Sequence, residues 1–69
     1  MNQCDQVLAY LKTGAYITQS EALERYGIAR LAPRIEELKK RGYNITTVMI
    51  RFTTVLGKRG KYAAYRLKQ

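Results

Sequence analysis

Histidine is absent from this chain of 69 residues, cysteine and proline occur once each, and only five residues are acidic. Without histidine there is no imidazole acid–base catalysis, no Ser-His-Asp or Cys-His arrangement and no ordinary zinc site. One cysteine and five scattered carboxylates leave no credible metal cluster. The reading is therefore non-enzymatic: no catalytic residue, cofactor, metal or small-molecule substrate is expected. Cys4 alone cannot close an internal disulfide, which fits a reducing compartment. No run approaches the ~18–20 apolar residues that span a bilayer, and no signal-peptide hydrophobic region opens the chain. The expectation is a cytoplasmic protein with no membrane partner.

The scarcity of acid leaves a formal net charge of +8, and it is unevenly spread. Residues 1–29 hold two basic and three acidic residues, whereas residues 30–69 hold eleven basic and two acidic ones. The first part is near neutral and the second carries the whole excess. Such polarity points to a polyanion on one side of the fold, with nucleic acid ahead of an anionic membrane. The alternative is a merely solubilising surface. At this length a single domain over residues 1–69 is expected, with a small core, since so short a chain buries only about 60% of its unfolded surface.

Apolar periodicity divides the chain. Cys4, Val7, Leu8 and Leu11 recur at helical spacing, predicting a helix over 3–12 with Asn2 as N-cap and Thr13-Gly14 as its stop. Cys4 on that apolar face reads as a small core residue. Ala15-Tyr16-Ile17 is a short extended connector. Thr18 followed by Glu21 has capping-box spacing, in which the carboxylate would reach back to the cap. The second helix, 19–26, would bury Ala22, Leu23 and Tyr26 and end at Gly27. A third helix over about 29–41 carries the stripe Leu31, Ile35, Leu38. Pro33 requires its first turn to lie close by, which sets the start near residue 29 or 30. Lys39-Lys40-Arg41 suits the C-terminal end of its dipole, and Gly42 stops it.

Beyond Gly42 the composition turns β-branched: Ile45 to Thr54, then Ala63 to Leu67. Between them Leu56-Gly57-Lys58-Arg59-Gly60-Lys61 supplies two glycines for a turn and cations for its tip. Ile45 falls in one alternating set and Val48, Ile50 and Phe52 in the other. Either a bulge intervenes or both faces are partly covered, for instance by a second subunit.

The order of elements resembles a winged helix-turn-helix domain, and more narrowly the small helix-turn-helix proteins of bacteriophages and prophages. The residues carrying the resemblance are Ile17-Thr18, Glu21-Ala22-Leu23, Gly27-Ile28, Arg30-Leu31, Arg34-Ile35, Leu38, Lys40 to Tyr43, Ile45 and Tyr65-Arg66-Leu67. It implies an α+β fold of three helices with a C-terminal two-stranded hairpin, the wing. It also implies double-stranded DNA as partner, bound with sequence or shape selectivity by a small transcriptional regulator or architectural factor, associated with the nucleoid of a bacterial host. A homodimer using Val48, Ile50 and Phe52 would fit one small reading head. The alternative is a protein-interaction module that binds and inhibits a host protein.

Carried onto this sequence, the binding mode has the third helix entering the major groove by its N-terminal end. Arg30 and Arg34 are then candidates for base edges, and Pro33 stiffens the same turn. Thr18, Gln19 and Ser20 would donate to phosphate, and Lys58, Arg59 and Lys61, assisted by Arg51, would meet backbone or minor groove. The alternative for Arg30 and Arg34 is that they are solvated helix charges pairing with acids a turn away, such as Arg34 with Glu37. Glu36 and Glu37 read as partners of Lys39, Lys40 and Arg41. Tyr10, Tyr26, Tyr43 and Tyr65 read as core and rim residues, while Tyr16 and Tyr62 stay open.

Overall fold

The computed structural model describes residues 2–68; Met1 and Gln69, the ends of the expected domain, lie outside them. The elements run α1 (Gln3–Leu11), β1 (Ile17–Thr18), α2 (Gln19–Tyr26), α3 (Leu31–Lys40), β2 (Ile45–Thr53) and β3 (Arg59–Leu67). This is the expected α+β order of three helices and a C-terminal hairpin. The connector before α2 goes further than expected: Ile17 pairs with Tyr65 and Thr18 with Ala64, which adds a third antiparallel strand in the order β1-β3-β2.

Local chemistry sets the boundaries. The Asn2 side chain accepts from the Asp5 N–H, and Thr18 accepts from the Glu21 N–H. Both satisfy donors that a helix start leaves free. Gly27 takes a left-handed conformation at φ 66° and ends α2. The core lies between the helices and one face of the sheet, where Val7, Leu11, Ile17, Leu31, Ile35 and Leu38 are essentially sealed from solvent.

Four expectations need correction. The Glu21 carboxylate does not return to its own cap. It accepts from the Tyr10 hydroxyl at 2.6 Å and faces Arg25 at 3.9 Å, because a partner on α1 is within reach. Leu23 is 56% exposed, since the narrow buried stripe of α2 is filled by Ala22. Helix α3 begins at Leu31, with Arg30 still extended at φ −134°. Pro33 is thus its third residue, where a missing N–H costs no helical hydrogen bond.

The hairpin turn is also displaced. Gly57 donates to the Thr54 carbonyl and Thr54 to the Lys58 carbonyl, so the loop is Val55-Leu56-Gly57 with Gly57 at φ 82°. Only Gly57 is a turn glycine. Gly60 lies inside β3 opposite Phe52, and Arg59 and Lys61 are strand residues. The ladder runs unbroken from Ile45↔Leu67 to Thr53↔Arg59, so no bulge intervenes. Ile45 faces the core, while Val48, Ile50 and Phe52 share the opposite face of the pleat.

Candidate nucleic-acid interface

The junction between α2 and α3 is held by one side chain. Gln19 Nε2 donates to the Ile28 carbonyl at 2.8 Å, while Gln19 Oε1 accepts from the Leu31 N–H at 2.7 Å. That second bond does for α3 what its own N-cap, Arg30, does not do. Two helices joined by a turn are thereby fixed at the junction from which α3 projects.

Three adjoining surfaces run from this junction to the hairpin. Gln19, Ala29, Arg30, Ala32, Pro33 and Glu36 line a depression at the start of α3. Gln19 and Ala32 also line a cleft of about 530 Å³ with Thr18, Ser20, Leu31, Phe52 and Tyr62. Phe52 is shared in turn with a hairpin surface formed by Arg51, Thr53, Arg59, Gly60 and Lys61. β1 is only two residues long, so among the described residues the β3 edge on this side has no strand partner beyond Ala64.

The helix-turn-helix, the three-stranded sheet and the projecting hairpin agree with a comparison of sequences. The model of the winged helix-turn-helix domain family matches residues 2–69. The chain belongs to that family. No curated protein and no solved structure matches it. Family membership points to DNA binding in general.

On this winged helix the candidate residues sort into two groups. Thr18, Gln19, Ser20, Arg30, Pro33, Arg51, Arg59 and Lys61 all border the continuous surface just described, and Lys58 follows in the hairpin loop. Among the described residues, Arg30, Arg51, Lys58, Arg59 and Lys61 have no carboxylate within ion-pair distance. Arg34 stands apart. Its guanidinium meets Glu37 at 3.4 Å on the flank of α3 that packs toward Cys4 of α1. The Cys4 thiol donates to that same carboxylate. Hydrogen bonding from Cys4, and then Arg34 beside it, hold the Glu37 carboxyl below its ordinary range. Burial first, and Glu37 second, push the Cys4 thiol up, so it is a protonated core group and a poor nucleophile.

The outward face of α3 is thin in hydrogen-bond donors. Ala32 and Pro33 occupy its first turn, and Glu36 faces Lys39 at 3.8 Å. Arg41 turns back to Asp5 of α1 at 3.9 Å. The wing is the opposite case: residues 45–68 contain six cations and no acid. Register puts Arg51 across from Lys61 and Thr53 across from Arg59, so these three cations share one face.

Phe52 and Tyr62 line the same cleft as Thr18, Gln19 and Ser20, although nothing in their sequence spacing groups them. Phe52 stands opposite Gly60, where no side chain intervenes, and its ring lies over that glycine. It comes within 6.0 Å of the Tyr62 ring, centroid to centroid, and both rings are nearly half exposed. The Phe52–Gly60 pairing was recoverable only from the strand register. Among the described residues no helix is long and apolar enough to cross a membrane, and no three metal-ligating side chains cluster.

Proposed function

We propose that this winged helix binds double-stranded DNA without chemistry, selecting sites by groove shape more than by base edges. The observation carrying this reading is the asymmetry of free charge. Arg51, Lys58, Arg59 and Lys61 are unpaired and concentrated on the wing, whereas α3 offers Arg30 alone as an unpaired donor at its N-terminal end. Phosphate neutralisation by the wing would supply most of the affinity. The small apolar face formed by Ala32 and Pro33 suits close approach to a groove wall and contact with a thymine methyl, not bidentate reading. Arg30 remains the one candidate for a guanine. Gln19 acts by positioning α3, and Thr18 and Ser20 lie beside it for phosphate.

A small transcriptional regulator or architectural factor of phage or prophage origin is the biological role that fits, with the resemblance to such proteins as its support. A homodimer would double the reading surface. The second reading, inhibition of a host protein, draws on exposed Leu23, Val48 and Met49, which DNA binding does not use. Fluorescence anisotropy with labelled duplexes of unrelated sequence tests the first reading. Tight low-salt binding, a steep salt slope and modest sequence preference are expected. Failure to bind any duplex at low salt contradicts it and favours a protein partner.

A further inference from the structure

The wing ends in two aliphatic side chains that the fold does not use. Among the described residues, Val55 and Leu56 are the most exposed large apolar side chains, at 104% and 88%. They occupy the two central positions of the turn closed by the Gly57 N–H and the Thr54 carbonyl. Turns of this kind favour proline, asparagine, aspartate, serine or glycine there. The loop is already specified by Gly57 at φ 82° and by the Thr54 hydroxyl, which accepts from the Lys58 N–H. Nothing in the folding of the hairpin asks for valine and leucine at its apex.

Their surroundings narrow the occupant. Lys58 and Arg59 follow just past Gly57, and Lys61 and Arg51 lie one step down the ladder. An apolar apex on a cationic stem matches a target that is anionic on its rim and apolar within. A membrane meets that description, but two short side chains hold far less hydrocarbon than a single acyl chain, which itself anchors only marginally. A base step flanked by phosphates meets it at the right scale. The reach also fits. From Val48, the last β2 residue level with the three-stranded part of the sheet, seven residues extend to Val55, roughly 23 Å at strand rise. Half a turn of B-DNA is about 17 Å. A wing anchored beside α3 in a major groove therefore reaches the neighbouring minor groove.

We propose that Val55 and Leu56 form an apolar wedge that enters a base step from the minor groove, partly unstacks it and bends the duplex, while Lys58 and Arg59 hold the flanking phosphates. Flexible pyrimidine–purine steps are the preferred targets, because they unstack most cheaply. The wedge rests on the DNA-binding reading above and adds a deformation to it.

The test uses the full chain and a G·C-flanked duplex of about 20 bp with one central TA step. It carries 2-aminopurine at that step and a fluorophore pair at its ends. Binding is expected to raise the 2-aminopurine signal several-fold and to shorten the end-to-end distance. A Val55→Ser/Leu56→Ser variant, changed only at exposed positions, is expected to keep its low-salt affinity within about threefold and to lose both signals. Wild-type binding with neither signal, or a variant that still bends DNA, overturns the wedge and leaves DNA binding standing. Absence of any duplex binding overturns both. Apex-dependent binding to anionic phosphatidylserine vesicles, with duplex bound but undistorted, overturns the wedge in favour of a membrane contact.

Discussion

The Gln19 side chain bridges the helix-turn-helix by accepting from the Leu31 N–H at 2.7 Å and donating to the Ile28 carbonyl at 2.8 Å. One amide thus replaces the missing N-cap of α3 and closes the turn that precedes it. Gln19→Ala is expected to cost about 0.5–2 kcal/mol, the usual range for a lost cap. In a domain of this size each kcal/mol corresponds to roughly 4–8 °C in Tm. Thermal melts by circular dichroism check it. An unchanged Tm would mean that the bridge holds nothing.

Gly60 and Phe52 form a second such relationship. A Cβ at Gly60 would overlap the Phe52 ring at Cζ, so the ring must move. The ring is a nearly half-exposed side chain, and it can swing away cheaply. Gly60→Ala is therefore expected to cost less than about 1 kcal/mol while changing the NMR shifts of Tyr62. In a Phe52→Ala background the cost is expected to vanish, as a double-mutant cycle would reveal.

Much of this was legible in the sequence, for reasons tied to particular residues. Thr18, Gly27 and Gly42 act within a few positions of themselves, so spacing alone announced their boundaries. What stayed hidden depended on distant partners. Glu21 has the right spacing for its own cap, but a tyrosine on α1 claims it. Gly57 and Gly60 look alike in the chain, and only register separates the turn glycine from the one that makes room for a ring. The surface joining Arg30 to the wing crosses Gln19, Phe52 and Tyr62, which lie far apart in sequence. The Arg34–Glu37 pair was legible as an alternative from its i, i+3 spacing, but the Cys4 thiol that joins the same carboxylate from α1 was not.

Glu37 gives the fold a pH dependence of definite sign. Its carboxyl is held below the ordinary value of 4.5 by the Cys4 thiol and by Arg34. Its contribution is therefore complete above that value and is lost as pH falls through the depressed one. Glu37→Gln is expected to lower Tm at neutral pH and to flatten the loss of Tm on acidification. Paired melts between pH 7 and about pH 3 measure this, and parallel curves would contradict it.

The two arginines of the α3 region are expected to differ. Arg30→Ala should weaken duplex binding at every salt concentration and relax preference at one base pair, by about 1–3 kcal/mol if that contact is a guanine. Arg34→Ala should leave affinity nearly unchanged and instead lower Tm slightly, since an exposed pair contributes at most about 1 kcal/mol. Competition binding with the two variants side by side distinguishes them. Equal losses would return Arg34 to the interface.

The most direct test of the account is the salt dependence of duplex binding for the wild type beside a Lys58→Ala/Arg59→Ala/Lys61→Ala variant. The logarithm of the binding constant is expected to fall linearly with the logarithm of salt, at about −0.9 per phosphate contact. Removing three wing contacts should make that slope shallower by about 2.7 and weaken low-salt binding by orders of magnitude. A wild type that binds no duplex, or a triple variant with an unaltered slope, would contradict the claim that the wing carries the affinity.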